Sequence, residues 1–162
     1  MTDGATARAV TMHDHGLCIR TALEAAEAAT RKSGVNFTPV RRRALEILLE
    51  SHVALGAYDL LKRLDADGFG GQPPVAYRAL EFLVKHGFAH RVERLNAFVA
   101  CVRPNEPGHE PGFIICRGCR AVAETDASGA PLEADAAEIG FAVERTVMEV
   151  EGLCPACRKA AP

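Results

Sequence analysis

Residues 73–101 read PPVAYRALEFLVKHGFAHRVERLNAFVAC, and their punctuation decides the fold class. Pro73-Pro74 opens a helix, because proline's missing N–H and fixed φ suit the first helical turn. Ala76, Leu80, Leu83 and Val84 recur at helical spacing as its apolar face, and Gly87 stops it. Arg78, Glu81 and Lys85 line up away from that face, with Tyr77 beside them. Residues 88–102 then alternate about Leu95-Asn96 as a two-stranded hairpin does, with Phe98 and Val99 in the second arm.

Two more helices lie upstream. Thr38-Pro39 supplies an N-cap and a first-turn proline, and Val40, Ala44, Ile47 and Leu48 follow on one face. Ala57, Leu60, Leu61 and Leu64 repeat the pattern until Asp67-Gly68 and Gly70-Gly71 end it. Three helices closed by a hairpin are the layout of a winged helix-turn-helix. Before them, an Ala-rich stretch with Leu17, Leu23 and Ala26 predicts a further helix over 17–33.

Downstream, Pro104, Pro107, Gly108, Pro111 and Gly112 mark residues 103–112 as a hinge. Beyond it the pattern predicts strands at 113–116, 120–125 and 141–150, and a helix near 131–139 with Leu132, Ala136 and Ile139 on one stripe. The fold class is therefore α+β: a winged helix-turn-helix domain over 1–102, the hinge, and a small α/β domain over 113–162.

At 48% hydrophobic and 25% charged residues the 162-residue chain is an ordinary globular protein, and its net charge of −2 by itself argues against an anionic partner. Split by segment, the charge says the opposite. Residues 31–97 carry eleven Lys and Arg against seven Asp and Glu, whereas 98–162 carry six against ten, and 1–30 two against four. A basic module beside an acidic one suggests different partners for each. No apolar run is long enough for a membrane span, and residues 1–10 lack the basic-then-apolar order of a secretory signal. The expected compartment is the cytoplasm, where six cysteines are metal ligands or catalytic thiols more often than disulfides.

Cysteine spacing narrows that choice. Cys116-Arg-Gly-Cys119 and Cys154-Pro-Ala-Cys157 are two C-x-x-C knuckles, each able to hold two thiolates on one tight turn. Together they complete the four-ligand tetrahedral shell of a structural zinc. A thioredoxin-like redox pair or four merely buried cysteines leave the doubling unexplained. A softer set comprises His90, Cys101, His109 and Glu124, whose one sulfur, two nitrogens and one oxygen suit tetrahedral zinc. Each also has an ordinary alternative as a surface histidine, a small buried thiol or a solvated carboxylate, and spacing alone leaves both readings open. His13, His15 and Cys18 could form a further cluster, although terminal histidines are usually solvated and a helical cysteine packed. His52 and His86, near helix ends, read as local partners of backbone carbonyls.

Thr38-Pro39 followed by Arg41-Arg42-Arg43, then Gly56-Ala57-Tyr58-Asp59-Leu60-Leu61, Pro73-Pro74 leading to Tyr77-Arg78-Ala79-Leu80, and Gly87-Phe88-Ala89-His90, together resemble the ferric uptake regulator family. Within it they are most similar to the zinc uptake regulators, and the resemblance runs from about residue 17 to 157, through both knuckles. It implies a homodimeric, zinc-responsive repressor of zinc-uptake genes that binds palindromic double-stranded operator DNA, with residues 113–162 as the dimerisation domain. It also implies two zinc ions per protomer, a structural one on Cys116, Cys119, Cys154 and Cys157 and a regulatory one on His90, Cys101, His109 and Glu124.

On DNA, Arg78 is the residue for base contact, Tyr77 for phosphate or base, and Lys85 for backbone charge. Tyr58 resembles the family tyrosine that touches a base, and Arg41, Arg42 and Arg43 are placed to reach phosphates. No membrane, small organic ligand or catalytic residue is implied. A zinc hydrolase would keep a coordination position open for water, and four candidate protein ligands leave none. The alternative is a sister regulator sensing iron, manganese or peroxide, disfavoured by Cys101 and by the absence of the His-rich cluster of the iron-sensing members. Val75-Ala76 stands where the family usually has Thr-Val, which removes a hydroxyl that could bond a phosphate or cap the helix.

Overall fold

The computed structural model describes residues 15–50, 53–104 and 109–160, so His13, His52 and residues 105–108 of the expected hinge lie outside the described residues, as does the His15 side chain. The described residues fall into two compact units, 15–104 and 109–160.

In the first unit, α1 (His15–Lys32), α2 (Pro39–Leu49), α3 (Ala57–Ala66) and α4 (Pro73–Lys85) precede a hairpin of β1 (Ala89–Val92) and β2 (Ala97–Ala100). The hairpin register runs from Ala89 opposite Ala100 to Val92 opposite Ala97, and Asn96 turns it at φ 46°, a left-handed conformation that asparagine tolerates. Leu55 exchanges both backbone hydrogen bonds with Phe98 at 2.9 Å, adding a short third rung to the wing. Leu23, Ala26, Ile47, Leu48, Leu60, Leu64, Leu80 and Leu83 form one core.

Three details of this unit depart from the sequence pattern. Leu17 is exposed, so α1 packs through Leu23 and Ala26, with Ile19 partly buried against the same core. The buried stripe of α4 is centred on Ala79 and Leu83 and takes in Phe82, which leaves Val84 at its edge and exposed. Phe82 is drawn inward by the Phe37 ring at 6.1 Å, and Phe37 in turn meets Phe88 at 6.1 Å. Thr38 stands at the N-cap of α2, yet its hydroxyl makes no capping bond and is buried without a hydrogen-bond partner. The helix start rests on Pro39 and on the Arg42 N–H, which donates to the Thr38 carbonyl at 3.0 Å.

The second unit is a three-stranded sheet in the order β4-β3-β5, with α5 (Ala130–Glu138) and α6 (Pro155–Ala160). β3 (Pro111–Cys116) pairs antiparallel with β4 (Val122–Asp126) and parallel with β5 (Met148–Gly152), Cys116 lying opposite Gly152. The strand expected over 141–150 is thus confined to its last residues and shifted onward. Phe141, Val143 and Val147 keep their alternation but are exposed and outside the sheet. The helix expected near 131–139 forms, but none of its residues is buried, and α6 carries no apolar pattern that would have announced it. No described helix is long and apolar enough to cross a membrane.

Candidate metal centres and nucleic-acid interface

The four knuckle cysteines converge. β3 delivers Cys116 to a tight turn in which the Arg120 N–H donates to the Cys116 carbonyl and the Cys116 N–H to Ala121, both at 2.9 Å. β5, parallel to β3, carries the chain to Cys154, and the Arg117 N–H bonds Gly152 across the pair at 2.9 Å. The four sulfurs lie within 4.8 Å of one another, Cys119 Sγ and Cys154 Sγ being 3.8 Å apart, and none of the six cysteines is in a disulfide. The Cys154 N–H donates to Cys116 Sγ at 3.3 Å and the Cys157 N–H to Cys154 Sγ at 3.4 Å. Gly118 is crowded, since a Cβ there would stand 3.0 Å from Cys157 Sγ and would require it to give way slightly.

The electrostatics match a cation site. Backbone N–H groups of Cys119 and Cys154 hold the Cys116 thiol down at about 6. Hydrogen bonds among the sulfurs, from Cys154 first and then Cys116 and Cys119, push Cys157 up to about 12. A divalent cation among the four sulfurs would favour the thiolate form of each. Four sulfurs at this separation fit zinc, which takes Zn–S bonds of about 2.3 Å in a closed tetrahedron.

Of the second donor set, two residues belong to each unit. His109 and Glu124 belong to the second, where His109 Nε2 and Glu124 Oε1 are 3.0 Å apart and both side chains are largely covered. Glu124 sits on β4 opposite Phe113. His90 and Cys101 belong to the first. His90 is on β1 opposite Val99 with its Nε2 buried. Cys101 follows β2, is buried, and is fixed by its N–H to the Phe88 carbonyl at 2.9 Å, while the Arg103 N–H donates to its sulfur at 3.4 Å.

Tyr77, Arg78, Glu81 and Lys85 project from α4 into solvent, and Tyr58 from the first turn of α3. Tyr58 and Tyr77 are 68% and 61% exposed, large aromatic surfaces with no packing role in the unit. Lys62 Nζ lies 4.5 Å over the Tyr58 ring.

The three consecutive arginines separate. Arg41 stacks over the Phe82 ring at 3.9 Å and donates to the Asn36 carbonyl. Arg42 pairs with Glu27 at 2.7 Å. Arg43 is bound by Glu46 at 3.0 Å, Glu50 at 2.9 Å and Asp67 at 2.6 Å, and Arg63 also pairs with Glu50. Burial pushes the Glu50 carboxyl up, but the Arg63 and Arg43 hydrogen bonds outweigh it and hold it below the usual range. Arg43 thus braces α2 against the end of α3 rather than standing ready for a phosphate, and Glu46 and Glu50, three and seven residues on along the same helix face, are the sequence signal for it. His86 is placed by rings rather than carbonyls, 4.4 Å from Phe82 and 6.4 Å from Phe88. Burial first, then Lys85 and Arg41, keep it below the ordinary histidine range.

No protein-family model matches the chain. The zinc uptake regulation protein of Escherichia coli (strain K12) is 39% identical over 137 residues, which span 83% of this chain and 80% of that protein. Among solved structures, a zinc uptake regulator complexed with zinc and DNA is 37% identical, covers 88% of this chain and 96% of its own, and superposes with a TM-score of 0.82. Holo XcZur is 35% identical with a TM-score of 0.77, covering 86% of this chain and 98% of its own.

Proposed function

The chain belongs to the zinc uptake regulators of the ferric uptake regulator family, and on that premise we propose that it is a cytoplasmic, zinc-responsive repressor that binds palindromic operator DNA as a zinc-loaded dimer and silences zinc-uptake genes. The observation that carries the reading is the division of the second donor set, His90 and Cys101 on one unit and His109 and Glu124 on the other. Cys116, Cys119, Cys154 and Cys157 hold the structural ion. Bound zinc supplies a divalent charge and four directed bonds, and with four protein ligands no position is left for a reacting water.

The protein's own residues do the rest. His90 and Cys101 commit the wing, and His109 and Glu124 the sheet unit, to one arrangement when they share a ligand. Palindromic half-sites lie about 34–36 Å apart, so two copies of α4 enter successive major grooves only when that arrangement is fixed. Arg78 addresses guanine through O6 and N7, Tyr77 and Tyr58 approach bases or phosphates, and Arg41, Arg42 and Lys85 supply phosphate contacts. Arg43 sets the pose of α2 and α3. Dimerisation has support in the exposed apolar residues of the second unit, where Ile114 and Val150 are register partners on adjacent strands and both face solvent.

A duplex selected from a random pool by the zinc-loaded protein tests the reading through fluorescence anisotropy in zinc and in chelator. Removal of exchangeable zinc should weaken binding by roughly 5–150-fold, the span of typical coupling free energies. Cys101→Ser should bind weakly in both conditions while retaining one zinc per protomer through dialysis. Equal binding of the wild type with and without zinc would refute the sensing role.

A further inference from the structure

The solvent face of α4 that carries Tyr77, Arg78 and Lys85 also carries Glu81, a carboxylate where a polyanion is expected. Elsewhere in this unit Glu27, Glu46 and Glu50 are each matched by an arginine within hydrogen-bond reach, whereas Glu81, like Glu24 on α1, is not. Arg78 lies three residues before it and Lys85 four after, both spacings at which helical side chains meet. Yet among the described residues the Glu81 side chain makes no ion pair or hydrogen bond, and neither does that of Arg78. Both groups stand uncommitted, one turn apart.

Three helical residues advance about 4.5 Å, close to the roughly 3.4 Å between stacked base pairs. Side chains so placed address neighbouring pairs. A carboxylate can only accept, and in the major groove the donors are cytosine N4 and adenine N6, whereas guanine O6 and thymine O4 repel it. Resting on the DNA-binding reading above, we propose that Glu81 is a specificity-determining residue that accepts a hydrogen bond from cytosine N4 at the base pair beside the guanine contacted by Arg78. Its negative charge lowers affinity for DNA in general and thereby raises the contrast between right and wrong sequences.

The test uses full-length, zinc-loaded wild type, Glu81→Ala and Glu81→Gln, each selected on a random duplex pool and then titrated against single-base substitutions and mixed-sequence DNA. The wild type should prefer cytosine at one position per half-site by roughly tenfold or more. Glu81→Ala should flatten that position while binding mixed-sequence DNA more tightly. Glu81→Gln should move the preference to adenine, whose N6 and N7 an amide engages together. Glu81 is exposed, so neither variant disturbs the core, and an unchanged zinc count verifies the fold. If the wild type is selective and Glu81→Ala keeps the same profile at every position, the proposal fails and the DNA-binding reading survives. If the zinc-loaded wild type selects no duplex, both fall.

Discussion

Residues 15–104 bury Ile47, Leu60, Leu64, Leu80, Leu83 and Val92 almost completely, whereas in residues 109–160 the buried apolar side chains are Phe113, Ile115, Cys116 and Val122. Leu132, Ile139, Phe141, Val143, Val147 and Val150 of the second unit all stand in solvent. The first unit closes its own core, and helix packing holds it. The second has a sheet of three short strands and too little apolar burial to offset the entropy of ordering it. What it has instead is four convergent sulfurs. Each unit thus depends on a different contribution, and each can be weakened without the other.

The largest expected effect comes from the metal. Structural zinc contributes on the order of 10–16 kcal/mol in small zinc domains near neutral pH. Cys154→Ser, or stringent chelation, should therefore unfold residues 109–160 while residues 15–104 remain folded. Amide hydrogen exchange resolved by unit reads this directly, and full protection of β3 and β5 in the metal-free protein would break the comparison. A smaller loss follows from Leu64→Ala, which empties a fully buried position of the helical core. It should lower the stability of the first unit by about 2–5 kcal/mol in urea unfolding and leave the zinc content of the second unchanged.

The smallest effect is a pH dependence confined to the first unit. The Glu50 carboxyl is held below its ordinary value in the folded chain by Arg63 and Arg43, against burial. A depressed folded pKa contributes stability that is present above the unfolded value and is lost as pH falls through the folded one. Glu50→Gln should abolish that acid-side loss. Its effect near neutrality should be about 1 kcal/mol or less, because the pair is partly exposed. Unfolding midpoints at neutral and acid pH for both proteins would check it.

Much of this contrast was legible from residues. Each helix of the first unit is punctuated by proline or glycine and carries an amphipathic stripe, so local rules and tertiary packing agree. The doubled C-x-x-C was legible because both ligands of a knuckle sit on one turn, so spacing carries geometry. His90, Cys101, His109 and Glu124 come from four separate places in the chain, so donor chemistry could group them but only the family resemblance favoured them as ligands. The alternation over 141–147 shows that one face is apolar and says nothing of what covers it, so the pattern places the strand earlier than Met148–Gly152. The arginine run conceals its geometry for a related reason. A helix turns about 100° per residue, so Arg41, Arg42 and Arg43 point three ways, to Phe82, Glu27 and the Glu46, Glu50 and Asp67 cluster.

The parallel pairing of β3 with β5 also sets an order in time. Every rung of that ladder joins residues about 36 apart, from Gly112 with Met148 to Cys116 with Gly152, so the sheet is built from contacts that form slowly. During synthesis the helical unit has all its partners before β5 exists, and domains generally fold as they emerge. Until β5 has left the ribosome β3 presents an unpaired edge, and until Cys157 has followed, Cys116 and Cys119 lack their full complement of facing sulfurs. In that interval the chain can already hold α4 in shape while its sheet unit still lacks two of its four converging sulfurs.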